Sequence, residues 1–234
     1  MWQLLKLEWR KHRMARYITS FLLCVGGIYG FSVFVAVSTK HDIDSAMGSY
    51  GEFLTLVTLL ANITFIILGG VIVSRVIISE FRYKTIHVLF TYPIPRKKLM
   101  LSKLILVFTV TAGGLFAGTW IMQGLTYFLQ PSLELFEGTF TRQELFATLP
   151  KTVTNAIMMG AISLIPLYFG MRKKSTATTI TTAVLIGFLI NSTVSNGGDA
   201  FSLSDIIIIP LIFSLIGAVV AYFAIRPIDR KDVA

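Results

Sequence analysis

The sequence predicts an all-α integral membrane protein with six transmembrane helices, and three observations carry that prediction. Charged residues are too scarce to dress a soluble globule. Six apolar runs are long enough to cross a bilayer. Lysine and arginine fall almost entirely on one side of those runs. Of the 234 residues, 54 % are hydrophobic and 14 % charged, whereas soluble domains carry about a quarter charged residues. The mean hydropathy is +0.74. Such a composition cannot supply a polar exterior, so lipid is the expected medium.

A helix rises about 1.5 Å per residue, so about 20 apolar residues cross a hydrocarbon core about 30 Å thick. Runs of this kind cover Ile18 to Val37, Leu54 to Ile78, Leu104 to Leu129, Val153 to Phe169, Thr176 to Val194 and Ile206 to Ile225. The second and third exceed the minimum, so they are expected to tilt or to project beyond the bilayer. No linker and no internal repeat divides the chain, which is expected to form one domain over 1–234. No small-residue cleavage pattern follows the first run, so a removable signal peptide is not expected.

The positive-inside rule orients the spans. With the N-terminus inside, the inner segments hold Lys6, Arg10, Lys11, Arg13 and Arg16, then seven basic residues from Arg75 to Lys103. Arg172 to Lys174 and the tail residues Arg226, Arg230 and Lys231 are also inside. Only Lys40, Arg142 and Lys151 of the 21 basic residues are left outside. Both termini are therefore expected to be cytoplasmic. The net charge of +9 is explained by these flanks, and no nucleic-acid partner is expected. Cys24, the single cysteine, lies inside the first run and reads as a packed thiol.

Arg75 is the one charge within the six runs, close enough to the inner end to snorkel toward water. An ion-coupled carrier needs intramembrane carboxylates, histidines or broken helix ends, and none is expected here. Phosphate-loop, zinc-protease and serine-hydrolase motifs are absent. His12, His41 and His87 lack the spacing of a metal site. No catalytic residue, metal or bound cofactor is therefore expected, and any energy must come from another chain. The polar groups inside the spans are mild: Asn62, Thr64, Thr109, Thr111, Gln123, the threonines of TATTITT, and Asn191. Such groups usually bond backbone carbonyls or neighbouring helices. Gly114 and Gly118 stand four apart on the third span, a spacing that permits close helix approach.

Three segments outside the spans carry further signals. Trp2, Leu5 and Trp9 share one helical face with Arg10 and Arg13 beside it, which predicts an interfacial anchoring helix over 1–16. The outer stretch from Gln130 to Pro150 alternates acids with Leu and Phe and predicts a short helix on the outer leaflet. Asn196 to Asp199, NGGD, reads as a tight turn.

Between the second and third runs lies SEFRYKTIHVLFTYPIPRKKLMLSK, residues 79–103. Ser79 is expected to cap a helix with Glu80 in its first turn. Ile86, Leu89 and Phe90 recur at helical spacing with Arg82, Lys84 and His87 among them. Pro93 and Pro95 stop the helix, and RKKLMLSK anchors the third span. A short amphipathic helix of this kind can lie on lipid headgroups or insert into a groove on a cytoplasmic partner. Either option leaves open a sensor or assembly scaffold that does not transport and whose basic segment binds lipid or a signalling partner.

This stretch resembles the loop between spans two and three of type-2 ABC exporter permeases, which carries an acid, a Gly-Thr pair, a proline, an arginine and a lysine. Glu80, Thr85, Pro93, Arg96 and Lys103 match that pattern, with Lys84 in place of the glycine. In size and layout the chain is most similar to the permeases of bacteriocin, bacitracin and toxin-peptide export or immunity. The resemblance implies a cytoplasmic coupling helix on which a separate ABC ATPase subunit docks, through Glu80, Arg82, Thr85, Ile86, Leu89, Phe90, Pro93 and Arg96. It implies two ATPase copies that bind ATP and Mg, and a second permease copy, in a bacterial plasma membrane. A hydrophobic or amphipathic peptide is the expected cargo.

Overall fold

The computed structural model describes Leu7, Trp9 and residues 15–39, 50–83, 96–133, 142–196, 199–202 and 207–225. Among these the chain is helical apart from one short hairpin. The helices are α1 (Ala15–Thr39), α2 (Tyr50–Val73), a π-helical turn (Ser74–Ile78), α3 (Ser79–Arg82) and α4 (Arg96–Leu133). There follow α5 (Arg142–Ala147), α6 (Leu149–Ile162), α7 (Pro166–Lys173), α8 (Thr176–Ile190) and α9 (Ile208–Ile225). Strands β1 (Thr193–Asn196) and β2 (Asp199–Ser202) pair antiparallel between α8 and α9.

Among the described residues, five stretches are long and apolar enough to cross a membrane: Ile18–Ser38, Tyr50–Arg82, Lys97–Gln130, Leu145–Lys173 and Ile208–Ile225. The chain is thus a multi-pass, all-α membrane protein. The fifth expected span is shorter than its apolar run, because α8 has 15 residues and rises about 22 Å. It stops at Ile190 and not at Val194. Asn191 turns back, its Nδ2 donating to the Gly187 carbonyl at 2.9 Å, and the next residues enter the hairpin. Asn196 pairs with Asp199 there, across the two residues expected to turn.

The fourth expected span is broken, which the apolar run did not reveal. Pro166 opens α7, and proline lacks the N–H that would continue the helix. The chain tightens around it. Leu164 N–H donates to Ala161 O at 3.1 Å, Ile165 N–H to Ile162 O at 3.0 Å and Leu167 N–H to Leu164 O at 3.1 Å. Ser163 Oγ donates to Gly160 O at 2.7 Å. A broken helix end is therefore present after all, but these four carbonyls are turned to local donors instead of an ion. The next helix begins after Lys174, which takes the left-handed conformation with φ 46°. Ser175 Oγ then accepts from Thr178 N–H.

Helix α2 is the hub of the bundle, touching α1, α4, α6, α7 and α8. Glycines make these approaches close. A Cβ on Gly70 would lie 2.3 Å from Ala183 Cβ of α8, and one on Gly69 would lie 2.7 Å from Ser163 Cβ at the break. A Cβ on Gly217 would sit 2.1 Å from the Ala161 carbonyl oxygen, so α9 meets the break backbone to backbone. Two apolar clusters fill the interior. One is built around Phe65, Met122 and Ile162, the other around Ile77, Met100 and Leu167. Aromatic and aliphatic side chains on α1, α8 and α9 stay exposed, among them Phe34, Phe188 and Phe223, as expected of surfaces that meet lipid.

Candidate functional site

The site lies at the basic end of the bundle, where α3 and the start of α4 flank residues 84–95. The helix begun at Tyr50 does not stop at the end of the apolar run at Ile78. It runs through the π turn into α3 and ends at Arg82, about 50 Å of helix in all. Ser79 therefore does not begin a new helix. The backbone N–H groups near it are satisfied by the helix already running, and its N–H bonds Ser74 O across the wide turn. Its hydroxyl does not cap but donates to the Arg75 carbonyl. Arg75 itself is exposed.

Glu80 faces inward and is buried. Its Oε2 accepts from Lys103 Nζ at 2.8 Å. The same ammonium donates to the carbonyl of Val76, inside the π turn, at 3.3 Å. Lys103 is only 1 % exposed, so the lysine expected to anchor the third span at the headgroups is instead turned into the protein. Lys97 and Lys98 one turn earlier are exposed and suit the anchoring role. Val76, Ile77, Met100 and Leu104, close to the pair along the chain, belong to the second of the two apolar clusters. A charged pair kept from water loses little to screening, and either charge alone would be costly to leave there.

The remaining sequence-derived residues divide plainly. Arg82 is exposed, with its guanidinium 5.8 Å from the ring centre of Tyr83. Arg96 opens α4. Thr85, Ile86, Leu89, Phe90 and Pro93 lie outside the described residues, as do Trp2 and Leu5. Trp9 is exposed. On α4, Gly114 and Gly118 both face the ring of Phe65, with room for a Cβ only at 3.0 Å and 3.2 Å from it. Gly118 also meets Val25 of α1.

Asn62, Thr111, Gln123, Thr179 and Asn191 within the spans pair with other polar side chains or with carbonyls. Asn155 Nδ2 donates to Asn62 Oδ1 at 2.8 Å, and Asn62 Nδ2 donates to Asn191 Oδ1 at 3.3 Å. Three helices, α6, α2 and the end of α8, are thereby joined. Thr111 and Thr179 return their hydroxyl protons to carbonyls four residues back. Thr148 Oγ1 reaches Gln123 Oε1 at 3.4 Å. Asn155 carried no marking in the sequence beyond being an amide in an apolar run. At the same end, Trp120 of α4 stacks on Phe116 and meets Phe146 of the short helix α5.

Among the described residues no three His, Cys, Asp or Glu side chains come together. The site combines a continuous helix, a wide turn and a buried ion pair beside the segment that joins two spans.

Comparison with known proteins agrees with this architecture. A protein of Bacillus subtilis (strain 168) described as "Uncharacterized protein YcbO" is 33 % identical over 234 residues, covering 98 % of this chain and 99 % of that one. No solved structure matches the chain. Residues 4–191 match the family described as "ABC-2 family transporter protein". The chain belongs to that family, as a membrane permease component that works with an ABC ATPase subunit.

Proposed function

We propose that this chain is one half of an ATP-driven exporter that moves hydrophobic or amphipathic peptides, of the toxin, antimicrobial or bacteriocin kind, out of a bacterial cell or its plasma membrane. Two copies of the chain, each crossing six times with both termini cytoplasmic, would form the pathway. Two ATPase copies would bind and hydrolyse ATP with Mg beneath it. The docking surface would be residues 80–96, with Arg82, Thr85, Ile86, Leu89, Phe90, Pro93 and Arg96 presented to the ATPase. Glu80 would hold that surface from within.

The supporting observation is the character of the bundle interior. Asn62, Asn155, Asn191 and Thr111, away from the basic end, are neutral groups bonded to one another and to carbonyls, and the six apolar runs read from the sequence hold no carboxylate. That interior suits apolar and amphipathic cargo better than small ions, whose shells of water need charged or carbonyl-rich replacements.

The test is copurification of the tagged chain from its native membrane, compared with a variant carrying Leu89→Ala and Phe90→Ala. A phosphate-loop ATPase that accompanies the native chain and is lost from the variant supports the reading. Absence of an ATPase from the native complex would end it in favour of a sensor or scaffold.

A further inference from the structure

The buried contact between Lys103 and Glu80 ties together the two arms of the segment assigned above to ATPase docking, and the contact between Lys103 and Val76 ties that same arm to an irregular turn. Glu80 is on α3, six residues beyond the start of the π turn at Ser74. Lys103 is on the second turn of α4. Twenty-three residues of chain separate them, yet their side chains meet at 2.8 Å with hardly any access to solvent.

Such a link is stiff for a physical reason. Pulling the arms apart would break a charge-assisted hydrogen bond between two groups that are hardly exposed to solvent, which is costly for a buried pair. The π turn gives the link a place to act. Two carbonyls there are taken by groups that a regular helix would not use, Ser74 O by the N–H of Ser79 and Val76 O by Lys103, while Arg75 O between them accepts the Ser79 hydroxyl. A wide turn inside a helix is a common site of functional adjustment. Residues of α7 and α8 close it in, since a Cβ on Gly170 would lie 2.9 Å from Ile78 and 2.2 Å from Thr179.

We propose that Lys103 is a positioning residue that clamps α3 and α4 into one rigid lever and holds the π turn in its wide form. A push on the segment between them then moves α2 and α4 together instead of flexing the segment. This rests on the docking role argued above and names the side chain that transmits the motion.

The experiment places spin labels at Tyr83→Cys and Lys98→Cys, both exposed positions, in a Cys24→Ser background. The distance between them is read in the purified complex at rest and with a non-hydrolysable ATP analogue. A second pair, Lys98→Cys with Gln143→Cys, reports movement of α4 against the far end of the bundle. With Lys103 in place we expect one narrow Tyr83–Lys98 distance that nucleotide leaves unchanged, and a nucleotide-driven shift in the second pair. Lys103→Gln should broaden the first distance and abolish the shift, while ATPase copurification stays within twofold of native. Lys103→Arg, which keeps the cation, should restore both readouts. Should Lys103→Gln fail to fold, Glu80→Gln, which keeps an acceptor without the charge, serves in its place for the resting Tyr83–Lys98 distance alone, which it should broaden. A first distance as narrow as native in these variants overturns the clamp. It does so whether or not an ATPase is bound, because that distance is read at rest. A native chain that recruits no ATPase instead removes the docking reading and leaves the resting distance to decide the clamp.

Discussion

Asn155 of α6 donates to Asn62 of α2 at 2.8 Å, and Asn62 in turn donates to Asn191 at the end of α8. Asn62 is thus the common partner of two other helices inside an apolar bundle. Hydrogen bonds between membrane helices contribute on average about 0.6 kcal/mol each and at most about 1.7. Asn62→Leu removes two and leaves the Asn155 amide without this acceptor. A loss of about 1–3 kcal/mol is expected, or a fall in melting temperature of about 3–10 °C for a chain of this size. Thermal unfolding in detergent measures it, and an unchanged midpoint would mean the three amides contribute nothing net.

Glycine positions should respond in opposite ways. Gly70→Ala places a methyl 2.3 Å from Ala183 Cβ, against a backbone-rigid neighbour, so α2 and α8 must separate. Overpacking of this kind costs about 1–3 kcal/mol. Gly27→Ala on α1 meets nothing within 4 Å, and alanine favours helix by about 1 kcal/mol over glycine. Folded yield after gel filtration should therefore drop for the first and hold or rise for the second. Equal behaviour would refute the packing between α2 and α8.

The number of crossings is decided by α8. In a Cys24→Ser background, single cysteines at Lys98, Lys174, Ser195 and Lys151 can be probed on intact cells with an impermeant maleimide. Labelling at Ser195 and Lys151 with protection at Lys98 and Lys174 is the expected pattern, and it would show that α8 crosses. Equal labelling of Lys174 and Ser195 would mean that α8 does not cross.

Much of this fold was legible in the amino-acid sequence. The apolar runs near residues 18–37, 54–78 and 104–129 lie within α1, α2 with its π turn, and α4. The excess length of the second and third runs reappears as helices that overshoot a bilayer. The run at 153–169 gave no sign of its break although Pro166 stood inside it, because neighbouring residues can re-satisfy the carbonyls a proline frees. Ser79 followed by Glu80 has the composition of a helix start, yet a helix already in progress overrides that local preference. The candidate site was legible in part. Glu80 and Lys103 were singled out by the motif they complete, but one was read as a first-turn carboxylate and the other as a surface anchor.

What the sequence alone determined is where the chain enters and leaves the apolar phase. Transfer from water to hydrocarbon is charged residue by residue, so a one-dimensional string records it. Which polar group meets which is a different matter. Asn62 and Asn155 are 93 residues apart, Asn62 and Asn191 are 129 apart, and each amide alone is compatible with many partners. Helix packing chose among them, through glycines that let backbones approach within a methyl's width. The inward turn of Lys103 was decided in the same way. Its long side chain could have reached headgroup or protein, and only the packed helices place a carboxylate and a carbonyl within its reach.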